Sequence, residues 1–148
     1  MHEVYLSLGS NLGDREQQLK QAIRFIDERI GEVVRQSAFI ETEPWGFESG
    51  NKFLNGVVLC ETDLSPRQVL RTTQAIERAL GRTSKTATAL HSQPIAKNYS
   101  DRPIDIDILL YDDLNINEPD LKIPHPLMYE RDFVMIPLKE IMTEQTNP

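Results

Sequence analysis

Val4-Tyr5-Leu6-Ser7-Leu8-Gly9-Ser10-Asn11-Leu12-Gly13-Asp14 decides the reading of the fold. Val4, Leu6 and Leu8 alternate with Tyr5 and Ser7, the period of a half-buried strand. Gly9 to Gly13 break the run. Asp14, with Gln17 three residues on, then makes a capping-box start for a helix. Leu19, Ala22, Ile23, Ile26 and Ile30 recur at helical spacing up to Gly31, which predicts a first helix over 14–30. Outward from this unit, residues 32–42 read as a second strand with Val34, Ala38 and Ile40 on one face. Phe53 to Glu61 reads as a third, and the intervening loop lets the two pair as an antiparallel hairpin. Ser65-Pro66-Arg67-Gln68 opens a second helix, with a cap, a proline at the first helical position and Gln at the third. Its buried face is Val69, Thr73, Ile76 and Leu80, and Gly81 ends it. Ile104, Ile106 and Ile108 alternate with Asp105 and Asp107 in a fourth strand. Pro124-His125-Pro126 is a turn before a helical stretch holding Phe133, Ile136 and Leu138. The order β-α-β-β-α-β plus a C-terminal helical segment is that of a ferredoxin-like α+β fold, an antiparallel sheet with helices packed on one face.

The chain has 148 residues, which fits one domain, expected over 1–143 with 144–148 as a short C-terminal tail. Lys and Arg number 16 against 23 Asp and Glu, a net charge of −7. That balance argues against nucleic acid as a partner, because phosphate neutralisation needs clustered cations. It leaves room for a small anionic ligand held by a few local cations. One cysteine, Cys60, excludes an internal disulfide and a Cys-based zinc cluster, and its place in Val57-Val58-Leu59-Cys60 suits a buried small hydrophobe. Apolar runs are far shorter than the ~18–20 residues of a membrane span. The N-terminus lacks a basic segment followed by an apolar stretch, so no signal peptide and no membrane association are expected, and the default location is cytoplasmic.

Asp105-Ile106-Asp107 is the most informative spacing. Residues two apart on a strand share a face, so both carboxylates leave one side while Ile104, Ile106 and Ile108 enter the core on the other. Two such carboxylates repel unless a cation lies between them, and Mg²⁺ characteristically takes one or two carboxylates plus substrate phosphates. In isolation the pair reads more readily as two solvated acids on an exposed face. Arg102-Pro103 directly upstream brings the opposite charge that a phosphate site requires. Arg82, Lys85, Lys97 and Arg102 form a basic group within the long polar stretch 82–103, a length unusual in a compact domain and often functional. Arg131 joins them from the C-terminal segment. Such groups clamp polyphosphates, though any one of them is more commonly a solvated loop cation. Asn55 is a polar residue on a half-buried strand; it suits the edge of a planar heterocycle with Phe53 and Phe133 stacking on the ring, or an amide bonded to a loop. His125 between two prolines is rigidly placed to bind phosphate, to act as acid or base, or to cap a turn. Gly9-Ser10-Asn11 is a strand-end turn and matches neither the P-loop nor Gly-x-Gly-x-x-Gly.

Taken together the segments resemble the 6-hydroxymethyl-7,8-dihydropterin pyrophosphokinase family of folate biosynthesis. Asp101-Arg102-Pro103-Ile104-Asp105-Ile106-Asp107-Ile108-Leu109 is similar to the family signature Arg-x-[Ile/Leu]-Asp-[Ile/Leu]-Asp-[Ile/Leu]. Phe53-Leu54-Asn55, Gln74-x-x-Glu77-x-x-x-Gly81-Arg82 and Ile123-Pro124-His125-Pro126 add further matches in the family's order. The resemblance implies transfer of the terminal diphosphate of ATP, as co-substrate, to the hydroxymethyl group of the pterin. Asp105 and Asp107 would hold two Mg²⁺ ions, with Asp107 also close enough to orient or deprotonate the attacking hydroxyl. Arg82 and Arg102 would contact phosphates beside the two aspartates in the catalytic set. Gln74, Glu77, Lys85, Ile108, His125 and Arg131 would lie on the ATP side. Gly9, Thr42, Glu43, Trp45, Phe53, Asn55 and Phe133 would lie on the pterin side. Loops 43–52 and 82–103 would be lids, and the protein a monomer with no fused synthase or aldolase. Phe53 stands where the family usually has Tyr, Glu43 where it has Pro, Trp45 where it has Leu, and Pro126 where some members have Tyr. Two rivals use the same residues: a two-metal phosphodiesterase on the Asp pair, and a ferredoxin-like module that binds a small ligand without turnover.

Overall fold

The computed structural model of the chain describes residues 1–43, 52–81 and 103–146, with side chains to Met142. Trp45, Arg82, Lys85, Lys97 and Arg102 lie outside the described residues, as does most of both expected lids. Strand β1 (His2–Ser10) leads into helix α1 (Arg15–Arg29), whose Asp14 cap accepts the Gln17 amide as the sequence predicts. Then come β2 (Gly31–Gln36), β3 (Ile40–Thr42), β4 (Phe53–Thr62) and α2 (Pro66–Ala79). The α2 start has the full reciprocal box: Gln68 N–H donates to the Ser65 hydroxyl, and Ser65 N–H to the Gln68 side chain. Strand β5 (Asp105–Tyr111), a small hairpin of β6 (Ile116–Glu118) and β7 (Leu121–Ile123), a 3₁₀ turn at Met128–Glu130 and helix α3 (Asp132–Thr146) complete the order.

The main sheet runs β2-β4-β1-β5, every neighbouring pair antiparallel, with β3 also on β4. Strand β4 thus splits the β1-α1-β2 unit, which is the ferredoxin-like arrangement expected. One correction stands beside that agreement. The expected second strand over 32–42 is two strands. Ser37 N–H donates to Val57 C=O while the Ser37 hydroxyl accepts Val57 N–H, and the Glu140 carboxylate of α3 accepts Ala38 N–H at 3.1 Å. These bonds replace the ladder and bend the chain at Ser37–Phe39. The pairing register also shifts between Val33 and Arg35, so Val34 is 40% exposed and the predicted face of Val34, Ala38 and Ile40 does not form. Gly31 follows directly on the end of α1, as expected, and also opens β2. A Cβ there would lie 1.9 Å from the Glu61 carbonyl oxygen, so only glycine allows β2 that close to β4.

The layers agree with the arrangement expected for the core helices. Helices α1 and α2 cover one face, over Val4, Leu6, Leu8, Val58, Ile106 and Ile108. Helix α3 covers part of the opposite face, with Val134, Leu138 and Ile141 against Tyr5, Val57, Leu59 and Leu109. The two core helices thus share one face, and the additional C-terminal helix packs on the other. Cys60 is buried in the first core, which pushes its thiol up to about 12 and leaves it the small hydrophobe anticipated. No described helix is long and apolar enough to cross a membrane.

Candidate active site

Helix α3 covers only one end of its sheet face; the other end carries the polar residues. Strand register places them in rows. Asp105 pairs with Gly9, and Gly9 with Asn55. In the next row Asp107 pairs with Ser7, and Ser7 with Val57. At the ~4.8 Å spacing of neighbouring strands, Asp105 and Asn55 stand roughly 10 Å apart with a glycine between them. The two carboxylates are half-buried on this face, about 7 Å apart along the strand, while Ile104, Ile106 and Ile108 are buried on the other, as the alternation predicts.

Gly9 is required by what crosses it. A Cβ at this position would lie 2.9 Å from Asn55 Oδ1 and 3.5 Å from the Phe53 ring. Asn55 is 4% exposed, and its amide donates to Thr42 Oγ1 at 2.7 Å. Gly9, Thr42, Phe53 and Asn55, all expected on the pterin side, therefore meet in one place. Glu43 is exposed just beyond Thr42 and pairs with Lys52 at 3.6 Å. Phe133 lies half-buried at the start of α3, with the Arg131 guanidinium 5.6 Å from its ring centroid.

A cleft of about 260 Å³ opens beside Asp107, between α2, β5 and the β6–β7 hairpin. It gathers Gln74, Ile108 and His125, three of the residues expected on the ATP side. His125 is fixed by its backbone N–H to Leu109 C=O at 3.0 Å, and its Nδ1 accepts Leu127 N–H at 3.2 Å. A neutral ring that accepts at Nδ1 keeps its proton on Nε2 and so presents a donor. Burial and the positive charge of Arg131 hold His125 below the ordinary imidazole range, against an opposing pull from Asp105. Glu77 turns the other way: it is 3% exposed, and its Oε2 accepts the Ile106 amide of β5 at 2.8 Å.

Sequence reasoning missed Lys122 and the hairpin that carries it. Lys122 lines the cleft, and its Nζ donates to Asn117 Oδ1 at 2.8 Å and Glu118 C=O at 3.2 Å. The available signal was the alternation Leu121-Lys122-Ile123, a strand pattern too short to stand alone. The hairpin turn is clasped by Arg67 of α2, which holds the Asp120 carboxyl below its usual range.

Two half-buried carboxylates suit a hard divalent ion that completes its shell from phosphates and water. Among the described residues no group of three His, Cys, Asp or Glu could hold a metal alone, so these side chains fit a cation that arrives with a polyphosphate.

The model of the 7,8-dihydro-6-hydroxymethylpterin-pyrophosphokinase family matches residues 5–143. The chain belongs to this family. It is 50% identical over 139 residues to the 2-amino-4-hydroxy-6-hydroxymethyldihydropteridine pyrophosphokinase of Porphyromonas gingivalis, covering 93% of this chain and 89% of that protein. The protein of the same name from Bacillus subtilis is 41% identical over 93% of this chain and 77% of its own length. Among solved structures, Plasmodium falciparum HPPK-DHPS with pterin and p-hydroxybenzoate superposes with a TM-score of 0.68 at 15% identity, over 93% of this chain and 38% of that one. At that identity the likeness bears on the fold, and it agrees with the ferredoxin-like sheet described above.

Proposed function

We propose that this chain transfers the terminal diphosphate of ATP to the hydroxymethyl group of 6-hydroxymethyl-7,8-dihydropterin, releasing AMP and the pterin diphosphate, a step of folate biosynthesis. The observation that carries the reading is the row Asp105–Gly9–Asn55. It sets a carboxylate and a buried amide on one open face, and the His125 cleft adjoins the next carboxylate, Asp107. Family membership and the relatives' names support the same assignment.

In this reading Asn55, held by Thr42, meets the hydrogen-bonding edge of the pterin, with Phe53 and Phe133 against its faces. Gly9 leaves the ring room to lie on the sheet. The neutral His125 donates from Nε2 toward the nucleotide, and Gln74, Ile108 and Arg131 line or flank the same side. Asp105 and Asp107 would hold Mg²⁺, two ions on the family pattern. When bound, the ions neutralise charge on the phosphate oxygens of an in-line displacement. Asp107 orients the attacking hydroxyl and accepts its proton. Glu77 acts on the ATP side through β5. Arg82, Lys85 and Arg102 supply the remaining positive charge, and Trp45 and Glu43 belong to the pterin side. The unit is a single domain over 1–143, monomeric and cytoplasmic.

The test is nucleotide analysis after incubation with ATP and Mg²⁺, with and without the pterin. Pterin-dependent AMP without ADP is expected. ADP would mean single-phosphoryl transfer and overturn the reading, and an unchanged nucleotide pool would favour a binding module.

A further inference from the structure

One charge network on the rim of the cleft lies outside the reaction just proposed. Arg67 is the second residue of α2. Its Nη1 and Nη2 donate to Oδ2 and Oδ1 of Asp120, each at 2.8 Å, and Nη2 also contacts Glu118. This is a two-pronged fork on one carboxylate with a second carboxylate beside it, the geometry in which an exposed arginine is effective. The location runs against helix electrostatics. The first turn of a helix favours acids, and α2 has none there. Glu118 and Asp120 arrive from the hairpin and place negative charge at the helix start through Arg67.

Arg67, Leu70 and Gln74 fall on one face of α2 at helical spacing. Leu70 and Gln74 form one wall of the cleft, and Pro119 to Lys122 form the facing wall. Arg67 therefore joins the two walls at one end. Leu121 and Ile123 are buried in the core and anchor the return strand by themselves. The fork instead fixes the turn at 118–120, whose Glu118 carbonyl accepts the Lys122 ammonium. Among the described residues the hairpin pairs with no strand of the main sheet, and two three-residue strands are marginal alone, so the position of that turn depends on such a tether.

We propose that Arg67 is a positioning residue for the nucleotide: through Glu118 and Asp120 it sets the separation of the cleft walls and the placement of Lys122. It does so without touching the ligand. The inference rests on ATP occupying this cleft.

Full-length wild type, Arg67→Ala, Arg67→Lys and the exchange Arg67→Glu with Glu118→Arg would be compared. The readouts are binding of a fluorescent methylanthraniloyl derivative of ATP, steady-state kinetics in both substrates, and Tm. Arg67→Ala should raise the Kd and the KM for ATP roughly three- to fivefold, the reach of an exposed network, with kcat and the pterin KM unchanged. Arg67→Lys, which keeps the charge but loses the fork, should fall between. The exchange should restore affinity, and added salt should bring wild type toward Arg67→Ala. Unaltered nucleotide affinity in Arg67→Ala and Arg67→Lys, with only Tm lowered, would overturn the proposal. The two readings separate cleanly. Wild type that yields no AMP, while the analogue binds and Arg67→Ala weakens it, refutes the reaction and keeps the clamp. Pterin-dependent AMP with nucleotide affinity indifferent to Arg67 does the reverse.

Discussion

The Glu77 carboxylate accepts the Ile106 amide at 2.8 Å from inside the core, so the strand is pinned at the residue between Asp105 and Asp107. Among the described residues strand β5 is an edge of the sheet, and the buried Ile106 amide would be left without this acceptor. Glu77→Ala should lower stability by ~1–3 kcal/mol, the cost of leaving that donor unpaired. It should also reduce kcat by about tenfold or more, since small displacements of reacting groups are costly. Glu77→Gln keeps a carbonyl acceptor and should retain most of both. Denaturant unfolding and AMP formation would check this. A kcat unchanged in a destabilised Glu77→Ala would confine the residue to the core.

The aspartates themselves predict the opposite split. Asp105 and Asp107 are half-exposed, so Asp105→Asn and Asp107→Asn should fold normally. Turnover should fall by about a hundredfold or more, because each removes a carboxylate that would hold the cation neutralising the transferring phosphoryl group. A readout free of turnover is available. Mg²⁺ with a non-hydrolysable ATP analogue should raise the Tm of wild type by binding the native state, and each Asn variant should lose most of that rise. Full stabilisation of Asp107→Asn would remove it from the cation site.

Gly9→Ala tests the pterin side. The new Cβ would lie 2.9 Å from Asn55 Oδ1, and Asn55 has little freedom to yield because its amide is bonded to Thr42. Crowding of this kind costs typically 1–3 kcal/mol, so pterin affinity should fall by about fivefold or more while nucleotide affinity holds. Calorimetric titration with each ligand separately would decide it. Equal loss for both ligands would mean a general distortion of β1.

The elements legible in the sequence are those whose pattern and burial agree locally. Ile104, Ile106 and Ile108 are all buried, so their alternation reported the face of Asp105 and Asp107 directly. Both helix starts were readable because a cap and its partner lie three residues apart. The break at Ser37 was not, because Glu140, which helps to hold it, is 102 positions away. Nor could the spacing of Val134, Leu138 and Ile141 say which sheet face α3 would cover. At the site, Asn55 and His125 were recognisable as polar residues in constrained places. That Glu77 faces the core, and that Lys122 reaches the cleft, follow only from how α2 and the β6–β7 hairpin meet β5.

The depressed titration of His125 gives stability a particular pH dependence. Burial and Arg131 disfavour the imidazolium in the native state, so the unfolded chain takes up this proton first as pH falls. The histidine's contribution is therefore present above the unfolded value near ~6.5 and is lost as pH drops through that value toward the lower native one. His125→Asn supplies a non-titrating oxygen for the Leu127 amide now bonded to Nδ1. Unfolding free energies of wild type and variant should run parallel above about pH 7 and diverge below it, wild type falling more steeply. Curves that stay parallel down to pH 5 would show that the ring charges freely in the folded protein, and with that the Nε2 donor assigned to the nucleotide side would no longer be fixed.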